Sequence, residues 1–198
     1  MNFGYIISRP ARVQGFSLVE LMVVLLVLGV LLTVTIPSFN TLYQNNRLYT
    51  QANDFHLSLS RARSEAMSRV QRITVCPSTN GSSCASGGAW ENGWIIFTES
   101  HGSQNAAVDP NEVVLEIQQA ISGGNTLRGS SNVANYVSYD GTGFSTLVSG
   151  TVQTGRLALC DLRGLSNGKA IVINAAGRPR VLDATDSGGV DSCLSPSN

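Results

Sequence analysis

A chain of 198 residues with 13 basic and 13 acidic side chains has no net charge, so any site for a polyanion must be local rather than global. Its two histidines both stand away from the four cysteines and no Cys-x-x-Cys pair is present, which leaves no zinc-like spacing. Twenty glycines, most of them after residue 80, suit a turn-rich β domain rather than a helical bundle.

The chain opens with a short polar stretch, Met1 to Gly15, that carries Arg9 and Arg12 and no acid. The 21 residues from Phe16 to Ile36 follow almost wholly apolar, with Glu20 the single charge, and Pro37 comes next. As a helix this run covers roughly 30 Å, the thickness of a bilayer's hydrocarbon core. The basic leader predicts that the N-terminal end stays cytoplasmic and the rest is exported, giving a single pass through a membrane. A secretory signal is cut after its apolar region at small residues, whereas here the small residue Gly15 precedes it. A plain anchor leaves Glu20 unexplained, because a carboxylate in a membrane segment costs about 3 kcal/mol and calls for a partner.

The stretch Gly15-Phe16-Ser17-Leu18-Val19-Glu20-Leu21 resembles the processing site of type IV prepilins and type II secretion pseudopilins. The resemblance implies that a prepilin peptidase cuts between Gly15 and Phe16 and methylates the new N-terminus. It also implies that Glu20 pairs with the N-terminal amine of a neighbouring subunit as helices bundle into a filament. Loss of the leader would leave 11 basic against 13 acidic residues. The predicted organisation is a leader over 1–15, a transmembrane and filament-core helix over 16–36, its periplasmic half over 37–72, and a β-rich periplasmic domain over 73–198.

After Pro37 the helical period resumes: Leu48, Ala52, Phe55, Leu59, Ala62 and Ala66 follow alternating four- and three-residue steps and form one stripe. One long helix is expected, kinked or loosened near Pro37 and ending at about Gln71, its stripe packed on a sheet. Arg61, Arg63, Arg69 and Arg72 read as a solvated basic side near the helix C-terminus. Strands are then expected at Ile73–Cys76, Trp90–Thr98, Val113–Ile117, Tyr136–Tyr139, Arg156–Cys160, Ala170–Asn174 and Pro179–Leu182. Asp140-Gly141 is a hairpin signal, and residues 99–110 and 122–132 read as polar loops. A long helix followed only by strands predicts an α+β fold, helix against antiparallel sheet.

Cys76, Cys84, Cys160 and Cys193 all follow the membrane segment, in an oxidising compartment where an even number points to disulfides. Four cysteines allow three connectivities; order and spacing favour Cys76–Cys84, closing a short loop, and Cys160–Cys193, tying the tail to a strand. An enzyme fits poorly. There is no Gly-x-Ser-x-Gly elbow, His56 sits on the periodic helix, and His101 lies in a Gly/Ser loop. No catalytic residue, metal or cofactor is expected.

The pattern from Gly93-Trp-Ile-Ile-Phe97 through Tyr139-Asp140-Gly141 and Leu159-Cys160-Asp161 to Gly177-Arg178-Pro179-Arg180 resembles the GspH/FimT group of minor pilins and pseudopilins. A Gly that permits positive φ and a Pro that fixes φ shape a turn holding two guanidinium forks, a phosphate-binding chemistry. The FimT members carry a Gly-Arg-x-Arg turn that binds DNA in natural transformation, and Gly177, Arg178 and Arg180 match it. The resemblance implies sequence-independent contact with DNA, with Arg163, Lys169 and Arg156 as candidates to extend the patch. Spacing alone favours a plain hairpin turn with two solvated arginines, or with one paired to Asp183 or Asp161; it is the resemblance that turns the reading toward DNA. The functional expectation is a minor type IV pilin, at or near the pilus tip, that joins other major and minor pilins and captures DNA. The competing expectation is a structural subunit that primes pilus assembly or belongs to a type II secretion pseudopilus.

Overall fold

The computed structural model describes residues 15–100 and 106–197. The leader with Arg9 and Arg12, and also His101, lie outside the described residues, as does the side chain of Pro37. The chain divides into two compact units, Met1–Tyr43 and Gln44–Asn198, and helix α1 (Leu18–Arg69) contributes to both.

In the first unit the helix is apolar on every face: Leu18, Leu21, Val24, Leu28 and Leu31 are all exposed. By length and composition it suffices to cross a membrane. Gly15 and Phe16 are exposed just before it, and Glu20 sits exposed in its first turn, where the helix dipole favours an acid.

In the second unit α1 lays its stripe on the core. Leu48, Ala52, Phe55, Leu59, Ala62 and Ala66 are all fully buried, as their spacing predicts. Phe55 is the centre of that contact, edge-on to Trp90 at 5.2 Å and to Trp94 at 5.0 Å. Such aromatic pairs add about 0.5–1.5 kcal/mol beyond area burial. The helix stops at Arg69, followed by Val70 with φ +51°, and Gln71 N–H donates to the Ala66 carbonyl. That is a left-handed helix stop made with a β-branched residue where glycine is usual.

Eight strands form two antiparallel sheets. One has the order β3-β2-β1-β5, from β1 (Arg72–Pro77), β2 (Gly93–Glu99), β3 (Val114–Gln119) and β5 (Val137–Tyr139). The other has the order β4-β6-β7-β8, from β4 (Thr126–Gly129), β6 (Gly155–Cys160), β7 (Lys169–Ile173) and β8 (Pro179–Asp183). Both inner faces meet the α1 stripe in one core, through Ile73, Val75, Ile96 and Val137 on one side and Leu157, Leu159, Ile171 and Ile173 on the other. The sequence reading foresees the α+β class but not the division into two sheets.

Two segments differ from expectation for physical reasons. Residues Trp90–Asn92 form a 3-10 turn, not strand, because Trp90 turns into the core and its indole N–H donates to the Val133 carbonyl. The strand starts only at Gly93, whose φ of +107° and close approach to the Gln118 carbonyl exclude a side chain. The expected loop over 122–132 contains β4, an edge strand held by β6 and by the Arg128–Glu91 ion pair.

Each outer sheet face is covered by a disulfide-pinned segment, with the connectivity expected from order and spacing. Cys76–Cys84 holds its loop over Ile95 and Phe97, and Cys160–Cys193 holds the C-terminal tail, through Val190, over Ala158 and Ala170.

Candidate nucleic-acid interface

The hairpin joining β7 to β8 begins at Asn174, whose carbonyl accepts from Gly177 N–H at 2.9 Å and whose side-chain oxygen accepts from Arg178 N–H at 3.1 Å. Gly177 then takes φ +70° and is buried. A Cβ there would overlap the Gly143 carbonyl oxygen and lie 3.1 Å from the Ser145 nitrogen and 3.2 Å from the Tyr139 ring. Glycine is therefore required twice, for the dihedral and for the approach. Pro179 opens edge strand β8 and confines Arg178 before it to extended backbone. Arg178 and Arg180, two residues apart on this backbone, are both exposed.

The Gly143 carbonyl that receives Gly177 also accepts from Arg63 Nε on α1 at 2.8 Å. Arg63 thus joins the helix to the loop on which the turn rests. That loop is set by Asp140, whose carboxylate accepts from Thr142 N–H at 2.9 Å and Phe144 N–H at 3.2 Å. The Asp140-Gly141 signal is in this way a five-residue turn closed by Asp140 N–H on the Phe144 carbonyl, not a two-residue hairpin. Burial pushes the Tyr139 phenol beside it well up, against the lowering influence of the Arg63 charge.

The structure separates the candidate cations into two groups. Arg156 pairs across the sheet with Val172, and Val172 with Arg180, so Arg156 and Arg180 share the outer face, roughly 10 Å apart by strand spacing. Lys169 and Arg163 stand at the other end of the same strands, and both are ion-paired. Lys169 bonds Asp183, its register partner on β8, and Arg163 bonds Asp161 at 2.7 Å. Burial raises the Asp161 carboxyl, but the hydrogen bonds and charge of Arg163, with Arg47, outweigh it and hold the group below its usual range.

Asp183 and Asp161 are the two acids that an ion-paired Arg178 or Arg180 would need, and both are already taken. Among the described residues no ion pair or side-chain hydrogen bond engages either guanidinium, while Arg61 pairs with Glu116, Arg69 with Glu65 and Arg128 with Glu91. Arg72 is likewise committed, donating to Ser138, Thr146 and Leu147 from within β1 rather than from a helix face. His56 lies in an open groove beside Tyr49, Asn53 and the β8 edge, together with the paired Lys169 and Asp183. Sequence reasoning did not find Arg63, Gly143 or Phe144 at this site; their only local signal is the Asp140-Gly141 turn.

Comparison with known proteins agrees with this architecture. A family model described as type II transport protein GspH matches residues 51–177, nearly two thirds of the chain, and ends just before Arg178. A prokaryotic N-terminal methylation motif matches residues 10–36. No curated relative matches the sequence. Among solved structures, the type IV minor pilin FimU of Pseudomonas aeruginosa is 23% identical, with a TM-score of 0.56 over 76% of this chain and 98% of that one. The minor pseudopilin EpsH of the Vibrio cholerae type 2 secretion system is 10% identical, with a TM-score of 0.48 over 71% of this chain and 99% of that one. The likeness to FimU is one of fold.

Proposed function

The chain belongs to the GspH family, and from that premise we propose that it is a minor pilin that binds DNA without sequence preference through Gly177, Arg178 and Arg180. In this reading a prepilin peptidase cleaves between Gly15 and Phe16 and methylates the new terminus. The apolar half of α1 holds the subunit in the inner membrane until it joins other pilins, with Glu20 meeting a neighbour's N-terminus. DNA is then captured for uptake from the assembled pilus, at or near its tip. The observation that carries the reading is the pair of exposed guanidinium groups without an acidic partner among the described residues, on a backbone fixed by Gly177 and Pro179. Arg156, on the same face, extends the patch; Lys169 and Arg163, paired at the far end, contribute less to it.

The test is a titration of full-length protein in detergent with two unrelated duplexes at several salt concentrations, beside Arg178→Ala/Arg180→Ala. Equal affinity for both duplexes is expected, with a salt slope shallower by roughly 2 in the variant, about 0.9 for each phosphate that an arginine no longer neutralises. Unchanged binding in the variant would remove the turn from the reading. The description of the matching family favours one second reading, a structural subunit of a type II secretion pseudopilus. It predicts no DNA affinity in either protein, and a secretion defect on deletion that Arg178→Ala/Arg180→Ala does not reproduce.

A further inference from the structure

Phe144 lies between the two backbone atoms, the Gly143 carbonyl oxygen and the Ser145 nitrogen, that pack closest to Gly177. Its own backbone is held at both ends, N–H on the Asp140 carboxylate and carbonyl on Asp140 N–H. The flanking Gly143 and Ser145 are buried, yet the Phe144 side chain is 53% exposed. The ring contacts among the described residues join Phe55 to Trp90 and Trp94, and Phe144 takes part in none. A hydrogen-bonded loop packed on the Gly177 turn therefore presents an exposed aromatic ring, and the turn carries two guanidinium groups that have no ion pair among the described residues.

A ligand matching both features needs anionic groups along a backbone and flat faces free to stack. Double-stranded DNA offers the first only, since its bases are stacked on one another; single-stranded DNA offers both. We propose that Phe144 is a stacking platform in the same site as Arg178 and Arg180, and that the site takes unpaired bases of single-stranded DNA, including frayed duplex ends. This inference rests on the DNA-binding reading of the Gly177–Arg180 turn. Within it the arginines engage phosphates and set affinity for any DNA, whereas Phe144 sets the preference between strand states. Because the ring is exposed and the loop is held by Asp140, its removal leaves the core intact.

The experiment titrates full-length protein in detergent with a single-stranded thymidine oligomer and with a blunt duplex closed at both ends by hairpins. Wild type is compared with Phe144→Ala, Phe144→Leu, Phe144→Trp and Arg178→Ala/Arg180→Ala. Phe144→Ala is expected to weaken single-strand binding by roughly 5- to 150-fold, the range for one base–aromatic stack. Closed-duplex binding should stay within about twofold. Phe144→Trp should restore single-strand affinity, and Phe144→Leu, which keeps apolar bulk without a π face, should not.

Equal loss on both ligands, no loss on either, or full activity of the leucine variant would overturn the stacking role. Loss of all binding in the arginine variant alongside an inert Phe144→Ala would sink this inference and leave the DNA-binding reading standing. Binding unaffected by the arginine substitutions, or absent in wild type, would overturn both. If Phe144→Ala instead lowers only incorporation into filaments, the ring is a contact between subunits, and the inference fails.

Discussion

Replacing Gly177 with alanine tests whether the arginine turn is built or merely present. At φ +70° any L side chain carries left-handed strain of about 1–2 kcal/mol. The new Cβ also overlaps a backbone oxygen, the Gly143 carbonyl, which cannot swing aside as a side chain would and is fixed from the other side by Arg63. Relieving that overlap means moving the Asp140–Phe144 loop, an overpacking cost of roughly 1–3 kcal/mol. Gly124 supplies the control: its φ is +68°, and a Cβ there meets nothing within 4 Å. Gly124→Ala should therefore cost about 1–2 kcal/mol, from strain alone, and Gly177→Ala about 2–5 kcal/mol. Urea unfolding followed by tryptophan emission measures both, since Trp90 and Trp94 are the only tryptophans and both are buried. Gly177→Ala should also weaken DNA binding with both arginines intact. Equal destabilisation at the two positions would refute the close approach as a constraint, and with it the idea that the loop fixes the turn.

Two further outcomes follow from buried groups and crosslinks. Chain-entropy reasoning gives about 3.7 kcal/mol for the Cys160–Cys193 link, with its sequence separation of 33, against about 2.5 kcal/mol for Cys76–Cys84, with a separation of 8. Paired serine substitutions should therefore lower the urea midpoint more at the C-terminal link; the reverse order would refute loop length as the deciding factor. Glu99 is fully buried, accepts from the Thr74 hydroxyl through one oxygen, and leaves the other without a hydrogen-bond partner among the described residues. Burial raises its carboxyl above the ordinary 4.5, against the Thr74 hydrogen bond and the Arg72 charge and with the help of Glu112 and Asp109. The folded state thus holds this proton more tightly than the unfolded chain. Its stabilising contribution is full below pH 4.5 and is lost as pH rises through the raised native value. Glu99→Gln should raise stability near neutral pH and flatten the slope above pH 4.5; an unaltered slope would refute the assignment.

What the sequence made legible was whatever depends on local period or punctuation. The stripe from Leu48 to Ala66 is a property of 3.6-residue spacing, and every member is buried. The turn at Gly177 was visible because Gly and Pro mark backbone geometry directly. Hidden features depend on register between distant segments. Strand β4 is four residues, Thr126–Gly129, with no alternation of its own, and it exists because β6 pairs with it. The pairing of Lys169 with Asp183 follows from the β7–β8 register, which no local signal announces. Arg63 reaches Gly143 from 80 residues away, so its part in shaping the turn could not be read from either segment alone.

Charge pairing along β6, β7 and β8 supports a local site in an electrically neutral chain. Where Lys169 faces Asp183 and Arg163 faces Asp161, positive charge is cancelled within the fold. At the opposite end, the row Arg156–Val172–Arg180 and the adjoining Arg178 have no ion pair among the described residues, although Arg156 feels Asp191 of the tail. Two solvated arginines on a hairpin require neither a buried left-handed glycine nor a proline beside them. A binding turn gains from both. Fixing a free backbone residue costs about 1–2 kcal/mol, and each long side chain ordered on binding a further 0.5–1.5 kcal/mol or so. Gly177 against Gly143, and Pro179 beyond Arg178, settle the backbone share during folding, so only the side-chain share remains when a phosphate arrives. With only two phosphate contacts to offset it, that saving is a large share of what such a turn could gain on binding.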